Sequence, residues 1–295
     1  MIKQKSVSKS KIKKRSQIKS ILLRYKKNKL AMMGLILLIV LIVISICAPL
    51  LANYEEDAIK QNIKERLQFP NSKHWFGTDQ YGRDLFARVI FGARVSLAIS
   101  LLTIILSMSV GLLIGSVSGY YGGRVDDILM RIMDVFLAIP QMLMAISIVA
   151  ALGPGIGNLL IAMSISMVPR FARIVRSSIL SIKDQEFVEA AKACGTRDRR
   201  IIARHIIPNA IGPIIVQATL NIAGTIISIS GLSFLGLGVK APMPEWGSML
   251  SEGKEQMRHY PHLVIIPGLA IVFTVMALNL MGDGLRDALD PRLKN

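Results

Sequence analysis

The chain has 295 residues, 52% of them hydrophobic, a mean hydropathy of +0.49 and a formal net charge of +17. The apolar residues are gathered into runs of about 20, the length that crosses a bilayer core as a helix, which excludes an ordinary soluble domain and predicts an all-α polytopic membrane protein. The positive charge is concentrated in the first 29 residues and in 186–209, both beside apolar runs; the positive-inside rule accounts for that placement, and it excludes a nucleic-acid binder with a basic soluble domain.

Residues 1–29 are rich in lysine and serine in their first half and read as a disordered, solvated tail. From Ile18, IKSILLRY offers the alternative of a short amphipathic turn on an anionic membrane surface. The run 30–52 is longer than the apolar part of a signal peptide, so it reads as a retained first span. Twelve Lys/Arg residues precede it and place the N-terminus in the cytoplasm.

Residues 53–88 carry both charge signs, as an external loop does. They include FGTDQYGRDLFAR, whose glycines and Asp/Arg alternation predict a tight, salt-bridged turn leading into a helix. Asp79, Arg83 and Asp84 are its charged members. A second span follows over 91–119, then a turn at Gly122–Gly123. A third helix is expected over 126–151, kinked at Pro140. ALGPGIGN makes an external turn. A fourth helix starts near Leu159 and carries Arg170, Arg173 and Arg176 at helical spacing. Charge is costly in lipid, so these belong near an interface or inside the protein.

A fifth span is expected over 210–235. Its Gly224, Ser228, Ser230 and Gly231 would allow close helix packing. The Gly-, Pro- and Trp-containing segment after it suits an external re-entrant or interfacial hairpin. A sixth span covers 263–283. Six spans place both termini and the basic loop on the cytoplasmic side. Asn221, Thr225 and Asn279 are polar residues within spans; they could face a pathway or serve interhelical hydrogen bonds. Cys47 and Cys194 read as two reduced thiols. His259 and His262 read as interfacial polar residues, and no other histidine spacing suggests a metal site.

The basic loop reads EFVEAAKACGTRDRRIIARHIIPN. Asp184 could cap a first helix, which its alanines keep slim. Gly195 suits its C-terminal turn. Thr196 could cap a second helix, and Pro208 closes it or opens the next span. The elbow could dock a partner through a close approach at its alanines, or it could only tether two spans. Length and polarity leave both readings open.

The spacing of Glu189, Ala190, Ala191, Gly195 and Pro208 resembles the EAA loop of ABC-importer permeases. His205 stands where many members are aliphatic, and the oligopeptide, dipeptide and nickel branch often has histidine there. GTDQYGRDLFARVIFGARVSL resembles that branch's signature at the second span, with Gly77, Thr78, Asp79, Gly82, Arg83 and Asp84. GLSFLGLGVKAPMPEWGSML and NLMGDGLRDALDPRLKN resemble its outer segment and C-terminus. Nearly everything after residue 30 is covered, and the match is to the second, C-type, of two permease subunits.

The resemblance implies a six-helix, type I importer permease (MetI-like) fold in a bacterial cytoplasmic membrane. The division would be a tail 1–29, a first span and external loop 30–88, and a permease core 89–295 with a coupling loop at 184–208. It implies a second homologous permease subunit, two ATP-binding subunits and an external substrate-binding lipoprotein as partners. The cargo would be a peptide, and selection would rest with the binding protein. Many peptide members have a glutamate where this chain has Ile229, which keeps nickel or a metal chelate open as cargo. No GxxxxGK[ST] phosphate loop occurs, so ATP and magnesium belong to the partner subunits and this chain is non-catalytic, with no cofactor of its own.

Overall fold

The computed structural model describes residues 17–289. The tail expected over 1–29 lies outside the described residues for 1–16. Over its remainder the expectation is corrected, because Gln17–Lys27 forms helix α1. Leu22 and Tyr25, three positions apart, share a side of it. Tyr25 donates its hydroxyl to the Ala31 carbonyl at 3.1 Å. Asn28 then caps α2, its side chain accepting from the Ala31 amide at 3.1 Å.

The first apolar run is divided. Helix α2 spans Lys29–Ile46 and a single turn, α3, spans Ala48–Leu51 with Pro49 in its first turn, where a missing N–H costs nothing. Helix α4, Leu85–Tyr121, starts six residues before the expected span because Asp84 caps it, accepting from the Ala87 amide at 2.8 Å. At 37 residues it is about 55 Å long, well beyond the hydrocarbon core.

The expected kinked helix over 126–151 is corrected to two helices. α5 spans Gly123–Ala138 and α6 spans Gln141–Leu152, bent by 85° at the break. Proline pushes its predecessor out of the helical region, and Ile139 is extended at φ −92°, ψ 125°. Helix α7 covers Ile156–Leu180. Then come α8, Glu186–Ala193, α9, Asp198–Ile201, and the long helix α10, Ile207–Phe234, joined to α9 by a π-helical turn over Ile202–Ile206. The segment after α10 is neither free coil nor a full hairpin; it folds into α11, Trp246–Gly253, packed on α4, α10 and α12. Helix α12 spans His262–Leu289. Among the described residues, five helices are long and apolar enough to cross a membrane, and α5 with α6 raises the number to six if that bent pair is one span.

The bundle is built on α4 against α7. Gly111, Gly115 and Gly119 repeat every four residues on α4 and let the backbones meet; a Cβ at Gly115 would lie 2.7 Å from the Val175 Cβ. On α10 the expected small-residue contacts are only partly found. Ser230 meets Gly247 of α11 and Gly231 meets Met142, whereas Gly224 faces open space. Hydroxyls inside spans turn back onto their own helices, as Ser107 does to the Thr103 carbonyl at 2.7 Å, so few polar atoms are left to lipid.

Candidate coupling site

The elbow after α7 is set by backbone chemistry. Helix α8 ends at Cys194, and Gly195 follows at φ +72°. The Gly195 amide donates to the Lys192 carbonyl at 2.9 Å and the Thr196 amide to the Ala191 carbonyl at 3.1 Å. This is a full Schellman closure, which needs a left-handed residue at Gly195. The start of α8 differs from expectation. Gln185, not Asp184, occupies the cap position, and it caps with no side-chain bond. Arg197, not Thr196, precedes α9. The π turn has a cause in Pro208, which lacks an N–H and whose ring crowds the carbonyl four residues back. The Asn209 side chain donates to the His205 carbonyl at 2.6 Å, an added bond in the same turn.

Helix α8 has two faces. Val188 and Ala191 are buried with Val175, Ile179, Ile201 and Ile206 of this chain. Glu186, Phe187, Glu189, Ala190 and Lys192 are exposed. Ala191 is therefore corrected: its close neighbours are this chain's own helices, and the surface offered outward is that of Glu189 and Ala190. His205 is half-buried and Pro208 exposed in the first turn of α10. The structure also adds Phe187, an exposed aromatic between two acids, which the sequence reading passed over although EFVE carries it in plain view.

Two further residues tie the elbow to the bundle. Tyr120, near the end of α4, donates to Asp198 at 2.8 Å, and the Lys192 ammonium lies over the Tyr120 ring, 5.6 Å from its centre. The α7 arginines all find partners: Arg170 donates to Asn221 at 3.0 Å, Arg173 to Asp134 at 2.6 Å, and Arg176 grips Asp126 through two nitrogens at 2.6 and 2.5 Å. They pin α5 and α10 to α7. The bonds of Asn221 and Thr225 are those of helix packing, Thr225 donating to the Asn221 carbonyl at 2.7 Å, while Asn279 is exposed on α12. Ile229 is buried among Leu159, Ala162 and Met163.

The second predicted cluster caps the opposite end of α4. Asp79 accepts from the Tyr81 and Arg83 amides at 2.8 and 3.0 Å and from the Arg83 Nε at 2.6 Å. Arg83 also pairs with Glu252. Arg88, equally buried, donates to Glu252 at 3.1 Å and lies 3.5 Å from Asp79. Two buried cations thus meet two carboxylates. Thr78 pairs with Asp84 as a short antiparallel bridge and donates to the Glu65 carbonyl at 2.5 Å. Asp84 also meets the His74 Nδ1 at 2.6 Å. Gly77 and Gly82 have positive φ, and Gly82 lies under the Asn62 carbonyl. Glu245, fully buried, caps α11 by accepting from the Gly247 and Ser248 amides at 2.9 Å each. Arg88 and Glu252 were missed by the sequence reading because they meet across 164 positions; His74 and Glu245 were missed although their partners lie within about ten. Among the described residues no group of three or more His, Cys, Asp or Glu could hold a metal ion.

Comparison with known proteins adds to this geometry. Residues 111–295 match the family described as binding-protein-dependent transport system inner membrane component. The chain belongs to that family. Residues 16–70 of this inner-membrane component also match the N-terminal TM domain of oligopeptide transport permease C. It is 48% identical over 270 residues to the dipeptide transport system permease protein DppC of Alkalihalophilus pseudofirmus, covering 92% of this chain and 88% of the relative. It is 42% identical to the oligopeptide transport system permease protein OppC of Bacillus subtilis, covering 94% and 90%. A glutathione transport system permease protein, GsiD of Escherichia coli, is 43% identical, covering 92% and 89%. Among solved structures, the inward-facing MetNI methionine ABC transporter is similar in fold, with a TM-score of 0.57 at 16% identity over 69% of this chain and 96% of that one. The importer-permease family and its membrane location, expected from the EAA spacing, thus stand confirmed.

Proposed function

We propose that this chain is the second permease subunit of an ABC importer for dipeptides or oligopeptides, driven through the α8 elbow by separate ATP-binding subunits. The cargo reading is supported by the peptide-named relatives, which do not favour nickel. A second permease subunit would complete the pathway, and an external binding protein would select the cargo. Of Asn221, Thr225 and Asn279, it is Asn279 that is exposed, on α12, where it is free to face either the pathway or that second subunit.

The observation that carries the coupling reading is the division of α8. One face is sealed into this chain's core, and the other presents Phe187, Glu189 and Ala190 to solvent. A partner that moves the outer face moves the core face with it. The motion passes to α7 by packing and to α10 by a continuous helical path through α9 and the π turn. The chain supplies no phosphate loop, so the work comes from the partners' different affinities for the two transport states.

The test is capture of the ATP-binding subunits and peptide uptake in one variant set. Phe187→Ala and Glu189→Lys are expected to cut both by about tenfold or more, since like-charge or lost anchor contacts cost kilocalories at an interface. Val188→Ala is expected to lower the yield of folded chain instead. Full capture and full uptake in the first two variants would reduce the elbow to a tether.

A further inference from the structure

A groove of about 620 Å³ runs between α2 and α12. Its walls include Met33 and Val40 of α2 and Met276 and Leu280 of α12, and Lys26 and Lys29 stand at one end. Gly34 makes the groove's floor: α2 presses onto α12 there, so that a Cβ would lie 2.7 Å from Leu280 Cβ and 2.8 Å from the Ala277 carbonyl oxygen. From Lys29 to Val40 the helix rises about 16 Å, close to the depth of one bilayer leaflet. The groove is therefore charged at headgroup level and apolar over the length of one acyl layer.

Three observations bear on what fills it. Both lysines are exposed, and among the described residues neither has a carboxylate within ion-pair distance. Helix α1 ends in Arg24, Lys26 and Lys27 and exposes Leu22 and Leu23, a combination that suits the headgroup boundary of an anionic membrane. Its position is fixed, because Asn28 donates to Asp287 at 3.4 Å and Tyr25 packs at Gly284 of α12. The ammonium groups are thus held at the mouth of the groove instead of trailing on a free tail.

We propose that the groove between α2 and α12 binds an anionic phospholipid, with Lys26 and Lys29 holding its phosphate and an acyl chain lying along Met33 to Val40. A zwitterionic lipid carries a compensating cation that two lysines repel. Each lysine near an anionic surface is worth about a factor of five in binding, so the pair gives about thirtyfold.

The assembled importer is exposed to equal amounts of phosphatidylglycerol and phosphatidylcholine, and the retained lipid is counted by native mass spectrometry. The wild type is expected to retain phosphatidylglycerol in preference. Lys26→Gln with Lys29→Gln should lose that preference by about thirtyfold, and Lys26→Arg with Lys29→Arg should keep it. Val40→Trp, which fills the groove, should lower retention of both lipids. Glycerol phosphate, a headgroup without chains, should not displace the lipid. No preference in the wild type, or an unchanged one in the glutamine pair, would overturn the proposal. So would a photo-crosslinker at Leu280 that captures the second permease subunit in place of lipid.

Discussion

The Tyr120 hydroxyl donates to the Asp198 carboxylate at 2.8 Å, bridging 78 positions of sequence and joining the end of α4 to the first turn of α9. Lys192 from α8 rests on the same ring. One aromatic side chain therefore holds both arms of the elbow to the longest helix.

Tyr120→Phe keeps the ring and removes the donor. The bond is at an exposed site, so the loss of stability should fall below the usual range for a bond to a charged group, at about 1 kcal/mol. Capture of the ATP-binding subunits should be unchanged, and peptide moved per ATP hydrolysed should fall. Tyr120→Ala should cost more on both counts, through lost packing.

Gly195 sits in open space, with no atom within 4 Å of a Cβ added there. Any penalty for a side chain is therefore conformational. Gly195→Val should cost about 1–2 kcal/mol in the left-handed region and abolish uptake, while Gly195→Asn should keep most of it. Equal uptake by the two variants would show that the Schellman closure is dispensable.

Arg83→Ala would leave Asp79 and Glu252 facing Arg88 alone. Removing one partner of a buried ionic cluster costs about 3–5 kcal/mol. The amount of assembled complex should drop, and the complex that does assemble should bind cargo with normal affinity. Normal assembly with altered cargo preference would move this cap into the transport pathway.

Gly115→Leu would drive a side chain into α7 at Val175 and the Ala172 carbonyl. Overpacking of this kind costs about 1–3 kcal/mol or more where backbones already touch. Thermal stability of the purified complex should fall, and Gly224→Leu, in open space, should change it little.

The charge bias predicts orientation. A reporter fused after Lys294 should be cytoplasmic, and one placed within 240–260 should be external. An external C-terminus would require a different number of crossings, and the bent pair α5–α6 would be the segment that fails to cross.

The spans were readable because hydropathy over about 20 residues is nearly a sufficient cause of crossing a bilayer. The break at Ile139–Pro140 was not, because a proline allows either a kink or a stop and packing decides between them. Here α6 is drawn into the core beside α7 while α5 is held by Arg173 and Arg176, so the two halves part. Asp79 and Arg83 could be paired on sequence since they are neighbours. Glu252 could not, standing 169 positions from Arg83. At the elbow, Gly195 follows from its residue type, whereas the inward turn of Ala191 depends on how α8 rolls against Val175 and Ile179, which spacing alone does not set. The GxxxGxxxG pattern of Gly111, Gly115 and Gly119 was present in the sequence and went unread among so many small residues.

Helix α4 carries the arginine cap at one end and the Tyr120 clasp at the other. A rigid mast of about 55 Å pivoting at mid-membrane through about 10° swings its two tips by about 5 Å in opposite senses, close to one helical pitch. With that pivot fixed, neither tip can travel while the other is held. A binder clamped onto the cap around Arg83, one that never crosses the bilayer, should therefore stall the stroke at the elbow and the nucleotide turnover tied to it.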